Sequence, residues 1–453
     1  MEKFEFYAYN PPTSGLYTVN GALYRAEEDF RNTKRYREYL DCGFTMLQVR
    51  YENAYNGEPW ETSNTKLVCD EAYKAGVDKL IITDLRIDGL ITEEDPVGEG
   101  KRFYNEGQLD AQLREWIAPY KDVPGFYGIQ LLDEPTYAKL EAYGRVARSL
   151  KRIMPNIFLQ CNLLPFPVRV EGIENAYEAY ERYIEKYFEE TKLPHVCMDE
   201  YPFRREYIIS GNIFRGYPII AEVCKRRGKE FHTVLQSTAW IKEGKMICRK
   251  VSKSDLYWQM HAAMGFGVRQ FAFYTYMPKA YFSYEKGSGD GVDGACLLNN
   301  DGSKTRLYDH AKQMMQEMQS FAPIALQYRY ERAWIITEVG KTKADFEWTA
   351  TSVLGQEGAF PITVNRGVAL ATELKNGNNR LFMLENIGNV KEELFNDALP
   401  MKIECQLPLG EKVFYCRGER INCEEKDGKI DFDLKVGDAI FIEIKNQTSE
   451  VSL

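Results

Sequence analysis

The sequence repeats one pattern eight times along most of its length: a short apolar run, then a segment with helical periodicity. Strands buried on both faces read as continuous apolar runs, and parallel strands need a crossover between them. The runs begin roughly 29 to 48 residues apart. They are Gly15–Val19, Phe44–Arg50, Asp78–Asp84, Phe126–Asp133, Asn156–Asn162, His195–Asp199, Phe231–Gln236 and Val268–Thr275.

This spacing predicts an α/β chain whose eight parallel strands form a (β/α)8 TIM barrel over residues 1–328. A doubly wound open sheet is the structural alternative. That fold would need a glycine-rich phosphate turn after its first strand, and no such turn occurs near Val19.

From about Arg329 the pattern changes to short alternating runs separated by Asn, Gly and Asp turns. The tetrapeptide Asn376-Gly377-Asn378-Asn379 is a strong hairpin signal, and the pattern predicts no long helix in this part. We therefore expect a C-terminal antiparallel β-sandwich domain over residues 329–447.

Composition narrows the possible partners. The net charge of −9 and the lack of a Lys/Arg stripe argue against nucleic acid, and no apolar stretch approaches a membrane span. The ten cysteines are scattered without a C-x-x-C pair, and the four histidines have no zinc-site spacing, so we expect free buried thiols and no metal or cofactor. A cytoplasmic location is favoured, and secretion with removal of a signal segment stays open.

In a (β/α)8 barrel, the working residues lie at the carboxyl ends of the strands and in the loops that follow. Applied to the eight runs, this rule selects four candidate catalytic carboxylates and eight candidate substrate-binding residues. The carboxylates are Asp133, Glu134, Asp199 and Glu200. The binding candidates are Arg50, Asp84, Asn162, Tyr201, Gln236, Trp240, Tyr274 and Tyr276.

The fourth run ends in Asp133-Glu134-Pro135. Proline disfavours helical geometry at the residue before it, so Glu134 sits between strand and helix, where glutamate is a poor cap. A structural role is the alternative, with Asp133 as the helix cap and Glu134 paired with a surface lysine. The sixth run offers a second pair, Asp199-Glu200. Two carboxyl groups on different strands are what glycoside cleavage requires: one protonates the leaving oxygen and the other serves the anomeric centre.

The segment Leu132-Asp133-Glu134-Pro135 resembles the Asn-Glu-Pro of barrel glycosidases that include many β-galactosidases and cellulases. The segments 265–276 and 297–308 are similar to the strand-eight region of the same enzymes. The resemblance implies a glycosidase with Glu134 as its acid/base and a glutamate nucleophile at the end of strand seven. Gln236 stands there instead, and an amide cannot form the glycosyl-enzyme ester.

Three explanations accommodate Gln236. The enzyme inverts, with Asp199 or Glu200 as the base; or it is a substrate-assisted N-acetylhexosaminidase in which Asp133 orients an acetamide; or the barrel only binds carbohydrate. We expect Gln236 to face the barrel mouth near Glu134. We also expect aromatic residues there (Tyr201, Trp240, Tyr274, Tyr276 and the Tyr51–Trp60 loop) to stack on sugar rings.

Overall fold

The computed structural model describes residues 3–19, 22–92, 96–204, 210–242, 245–278, 288–290, 294–338, 362–365, 367–388, 401–406, 409–426 and 429–445. Eight parallel strands, β1 to β8, alternate with helices in its first part. They are Glu5–Ala8 (β1), Leu47–Val49 (β2), Leu80–Thr83 (β3), Phe126–Gln130 (β4), Phe158–Gln160 (β5), His195–Asp199 (β6), Glu230–Gln236 (β7) and Val268–Tyr274 (β8).

The parallel strands form two four-stranded sheets, ordered β1-β8-β7-β6 and β2-β3-β4-β5. Backbone hydrogen bonds also join the two sheets at both junctions. Thr45 N–H donates to Phe6 O at 2.8 Å, which links β1 to the segment before β2, and Leu163 N–H donates to Cys197 O at 2.8 Å, which links the segment after β5 to β6. Consecutive strands are therefore spatial neighbours, and their carboxyl ends lie on one side.

Nine helices, α1 to α9, follow or precede these strands in the described part of the chain. Their ends carry ordinary sequence signals: the Ser63 side chain accepts from Lys66 N–H at the start of α2, and Gly76 with a φ of 108° ends it. The helices are Thr33–Cys42 (α1), Asn64–Ala75 (α2), Leu85–Thr92 (α3), Glu106–Ile117 (α4), Leu140–Ile153 (α5), Ala176–Thr191 (α6), Ile213–Arg227 (α7), Lys253–Gly265 (α8) and Arg306–Ala325 (α9).

The first parallel strand is β1, so the prediction of that strand at Gly15–Val19 is wrong. Leu16–Val19 instead pairs antiparallel with Ala22–Arg25 as a hairpin. The other seven predicted runs each contain one of the strands β2 to β8, within a few residues at their ends. A further small antiparallel sheet is made by Trp240–Lys242, Lys245–Cys248 and Ser288–Asp290.

Beyond α9 the described residues form antiparallel strands. They are Arg329–Thr337 (β9), Ile362–Val364 (β10), Val368–Asn376 (β11), Asn379–Asn386 (β12), Met401–Gln406 (β13), Glu411–Cys416 (β14), Glu419–Ile421 (β15), Glu425–Lys426 (β16), Lys429–Leu434 (β17) and Ala439–Lys445 (β18). Six form one sheet, β9-β11-β12-β18-β14-β15, and four form a second, β10-β13-β17-β16. The predicted hairpin is confirmed, because Asn376 pairs with Asn379.

Apolar side chains from both antiparallel sheets form one buried cluster, for example Phe382 and Ile442 from the larger sheet and Ile403 and Ile430 from the smaller. A second, larger cluster joins residues of the parallel part to Met383 and Phe441 of the larger antiparallel sheet. Nine cysteines are free thiols in the described part, seven of them buried, as expected. No described helix is long and apolar enough to cross a membrane.

Candidate active site

The carboxyl ends of the parallel strands surround a pocket of about 410 Å³, a size typical of small-molecule sites. Most of its polar residues lie at or just after the last residue of a strand, which explains why they converge. The lining residues are Tyr9, Arg50, Tyr51, Asp133, Glu134, Asn162, Pro165, Asp199, Glu200, Tyr201, Arg204 and Tyr274.

Glu134 has an unusual backbone conformation. Its φ is +50°, in the left-handed region that costs an L-residue roughly 1–2 kcal/mol. Its N–H donates to Asn162 O at 2.8 Å, which ties the turn after β4 to the end of β5. The turn directs the side chain into the pocket, where solvent reaches it. Strain of this kind persists only where the surrounding structure enforces it.

Asp133 is held by two neighbours. Arg50 Nη2 donates to its Oδ2 at 3.0 Å, and Asn162 Nδ2 donates to its Oδ1 at 3.2 Å. The guanidinium of Arg50 lies over the rings of Tyr9 and Tyr51, at 5.3 and 5.1 Å from their centres. Both carboxylate oxygens of Asp133 are therefore engaged by protein groups.

Glu134 and Asp199 form a hydrogen-bonded carboxyl pair. Surrounding protein and the nearby charges of Asp199 and Asp133 raise the pKa of Glu134 to about 8. Burial and the charge of Asp133 raise the pKa of Asp199 to about 6, while hydrogen bonds with Tyr201, Asn162 and Glu134 limit that rise. Near neutral pH the pair thus holds one proton, on the Glu134 side.

Glu200, the fourth carboxyl group of the pocket, is almost fully buried. Arg204 Nη2 donates to its Oε1 at 3.4 Å. Burial raises the pKa of Glu200 to about 7, against the opposing effects of Arg204 and Ser210.

Three tyrosine rings form an aromatic wall. The ring centres of Tyr9 and Tyr274 are 5.8 Å apart, and those of Tyr201 and Tyr274 are 5.4 Å apart. Several buried polar atoms of the pocket residues have no hydrogen-bond partner among the described residues. They are Tyr9 Oη, Arg50 Nη1, Asn162 Oδ1 and Asp199 Oδ1. Unpartnered buried polar atoms are costly, and at a pocket they indicate positions for ligand groups.

Four of the predicted site residues do not line the pocket, or have side chains that lie outside the described part of the structure. Gln236 is fully buried, and its amide bonds the backbone of Phe203, Thr238 and Arg249, so the expectation that it faces the mouth is wrong. Asp84 is buried against Arg86 and Tyr120. Tyr276 packs against Tyr39 and Phe44. Trp240 begins a strand, and its side chain lies outside the described part of the structure.

The pocket brings together all four predicted carboxylates with Arg50, Asn162, Tyr201 and Tyr274. Sequence reasoning missed Tyr9, Pro165 and Arg204. Tyr9 directly follows β1, so the strand-end rule would have selected it had the first strand been assigned correctly. Arg204 lies four residues beyond Glu200 in a loop, where no periodic signal marks it.

No protein-family model matches the chain, and no curated protein does. Solved structures are similar to it. An α-amylase from Geobacillus thermoleovorans, complexed with acarbose, gives a TM-score of 0.51 at 10% identity, over 98% of this chain and 99% of that one. An α-amylase from Anoxybacillus, whose structure is described as providing insights into a new glycosyl hydrolase subclass, gives a TM-score of 0.50 at 13% identity, over 98% of this chain and 97% of that one. The chain therefore shares its fold with glycoside hydrolases.

Proposed function

We propose that this chain, with the fold of a glycoside hydrolase, cleaves a glycosidic bond in an oligo- or polysaccharide, with Glu134 as the general acid. In this proposal the two parallel sheets form one closed (β/α)8 barrel, residues 1–328, followed by a β-sandwich domain. The observation that carries the functional assignment is the Glu134–Asp199 carboxyl pair inside the strand-end pocket.

A general acid must hold its proton at the working pH and release it to the departing oxygen. The raised pKa of Glu134, about 8, meets the first requirement near neutrality. The second is met because a protonated carboxyl accessible through the pocket can reach a substrate oxygen. Loss of the proton leaves Glu134 negative beside Asp199, so the pair also favours taking a proton back from water in a later step.

The proposal must also assign the second carboxyl group of the reaction. Carboxyl groups sit about 5–5.5 Å apart in retaining glycosidases and about 6.5–9.5 Å apart in inverting ones. In this proposal Asp199 is hydrogen-bonded to Glu134 and raises its pKa, so Asp199 is not assigned as the nucleophile or as a base acting through water. Glu200 is the remaining carboxyl for an inverting reaction, and Arg204 already engages it.

The test is Glu134→Gln, which keeps the shape and removes the proton. Hydrolysis of a substrate with a poor leaving group should fall by about 10²–10⁴-fold. An activated aryl glycoside should lose much less, because its leaving group needs little protonation, and binding should be retained. Glu141→Gln, a change at an exposed position of α5, is the matched control. Equal and small losses on both substrates would assign Glu134 a structural role.

A further inference from the structure

We propose that the substrate carries an acetamido group beside the scissile bond, and that its carbonyl oxygen attacks the anomeric carbon while Asp199 binds its N–H. This inference rests on the proposed function, since Glu134 remains the general acid. It differs from the sequence-based alternative, which assigned the acetamide to Asp133.

The first argument is that, among the described residues, no carboxylate is positioned as a nucleophile. Gln236 stands at the end of β7 and is turned away from the pocket. Asp133 has both oxygens engaged by Arg50 and Asn162. Asp199 is hydrogen-bonded to Glu134, the group that must deliver the proton, so its carboxylate is not free to attack the anomeric carbon. Glu200 is 3% exposed and is engaged by Arg204. A nucleophile that belongs to the substrate removes this difficulty.

The second argument is that the unpartnered groups of the pocket match an acetamide. Asp199 is 5% exposed and its Oδ1 lacks a partner in the described part, so it can accept the acetamide N–H. Tyr9 is 2% exposed, and its hydroxyl likewise has no described partner, so it can donate to the carbonyl oxygen. The rings of Tyr201 and Tyr274 offer an apolar surface for the methyl group. A hydroxyl substituent would leave this apolar surface unused.

The reaction balances without an added reagent other than water. The acetamide oxygen forms a bond to the anomeric carbon as the glycosidic bond breaks, and the electron pair goes to the leaving oxygen, which takes the proton of Glu134. The positive charge of the resulting oxazolinium ring lies on N–H against the Asp199 carboxylate. Water then attacks the anomeric carbon, Glu134 accepts its proton, and the ring opens to restore the acetamide. Two displacements retain the anomeric configuration.

The experiment compares 4-nitrophenyl β-glycosides in matched pairs, 2-acetamido against 2-hydroxy, in the gluco and galacto series. The full chain should cleave the acetamido member of a pair at least about 10²-fold faster, and a thiazoline analogue of that sugar should inhibit it. Asp199→Asn should lower this rate by about 10²–10³-fold, as expected for losing a charge that stabilises the transition state. Asp301→Asn in an exposed turn is the matched control.

Two readouts on the wild-type chain do not depend on any variant folding. N-trifluoroacetyl substrates should react more slowly than N-acetyl ones, because fluorine makes the carbonyl oxygen a weaker nucleophile. Proton NMR should show the β-anomer as the first product. Equal cleavage of the 2-hydroxy member with an inverted product would overturn this inference, would point to Glu200 as a base, and would leave the proposed function standing. Failure to cleave any member of either pair, or natural oligosaccharides, would overturn both.

Discussion

At the scale of single residues, the protonation of Glu134 is set first by burial and then by charged neighbours with opposite effects. The negative charge of Asp199 raises the pKa of Glu134, and the positive charge of Arg50 lowers it. Arg50 lies within the pocket because two tyrosine rings and Asp133 hold its guanidinium. The proton on which the proposed function depends therefore responds to identifiable side chains as well as to burial.

We expect kcat/KM to be bell-shaped, with limbs near pH 6 and pH 8. Glu134 must carry its proton, so activity is present below its pKa of about 8 and is lost as the pH rises through that value. Asp199 must be ionised, so activity is lost as the pH falls through about 6. The two values belong to the coupled pair. A pH–rate profile on the preferred substrate measures both limbs, and a rate that keeps rising above pH 9 would contradict the assignment.

Two substitutions should move the titration of Glu134 in opposite directions. Asp199→Asn removes the negative neighbour and should lower the pKa of Glu134, whereas Arg50→Gln removes the positive neighbour and should raise it. Carbon-13 NMR of carboxyl-labelled protein follows this titration without requiring activity. The signal that is missing from the spectrum of Glu134→Gln is the signal of Glu134. The absence of a shift in both variants would show that burial alone sets the pKa.

The site residues that the sequence predicts are those at the ends of strands. Asp133, Glu134, Asp199 and Asn162 were found because they terminate or follow apolar runs. The sequence cannot show that Asp199 hydrogen-bonds Glu134, since that depends on the distance between β4 and β6. Nor can it show that Gln236 turns away, because successive side chains of a strand point to opposite faces and a one-residue difference in register decides the direction.

At the scale of elements, the end of β7 is fastened by side-chain amides. Gln236 Nε2 donates to the carbonyls of Phe203, Thr238 and Arg249. Gln259 of α8 in turn bonds both backbone groups of Gln236, at 2.8 and 2.7 Å. An amide is required there because it offers N–H donors to carbonyl oxygens, which a carboxylate lacks. Gln236 is therefore a structural residue at the end of β7.

Gln236→Glu should destabilise the chain and should not create a nucleophile. The new carboxylate would leave three carbonyl oxygens without a donor, at a cost of about 1–3 kcal/mol or more for a buried group. Urea denaturation followed by fluorescence measures the free energy of unfolding. Gln316→Glu, at an exposed position of α9, is the matched control and should be nearly neutral. A gain of glycosidase activity in Gln236→Glu would show that the side chain reaches the pocket.

The misassigned first strand has a local cause. β1 is only four residues long and begins with Glu5, whereas Leu16–Val19 combines leucine with β-branched and aromatic residues. Both segments satisfy the composition of a strand. What distinguishes them is pairing: β1 lies beside β8, more than 260 residues later in the chain, and the later segment pairs with its immediate neighbour. Composition carries no information about a partner at such a separation.

At the scale of the whole molecule, the parallel and antiparallel parts share a buried surface. His261 Nδ1 on α8 donates to Gly437 O at 2.8 Å, and Tyr328 donates to Glu443 at 2.7 Å. The apolar cluster of the parallel part continues into Met383 and Phe441. The division of the chain at residues 328 and 329 remains a prediction, but we expect both parts to unfold in one transition.

Gly437→Ala should be much more destabilising than Gly377→Ala. Both glycines have positive φ, at 82° and 57°, so both variants carry a backbone cost of about 1 kcal/mol. A Cβ at Gly437 would lie 2.4 Å from Ser254 O, whereas one at Gly377 would meet nothing within 4 Å. The overlap should add about 1–3 kcal/mol. Differential scanning calorimetry should show one transition, lowered in Gly437→Ala; two separate transitions would show that the parts unfold independently.

The position of α8 limits how parts of this protein can be exchanged with those of relatives. One helix fastens β7 through Gln259 and meets the antiparallel part through His261. A chimera that joins the parallel part of this chain to the antiparallel sheets of a relative would separate His261 from Gly437 and leave Ser254 facing an unmatched loop. Exchange between relatives should therefore succeed only when the Gly437 turn is kept together with α8, because moving α8 with the antiparallel sheets would remove Gln259 from β7.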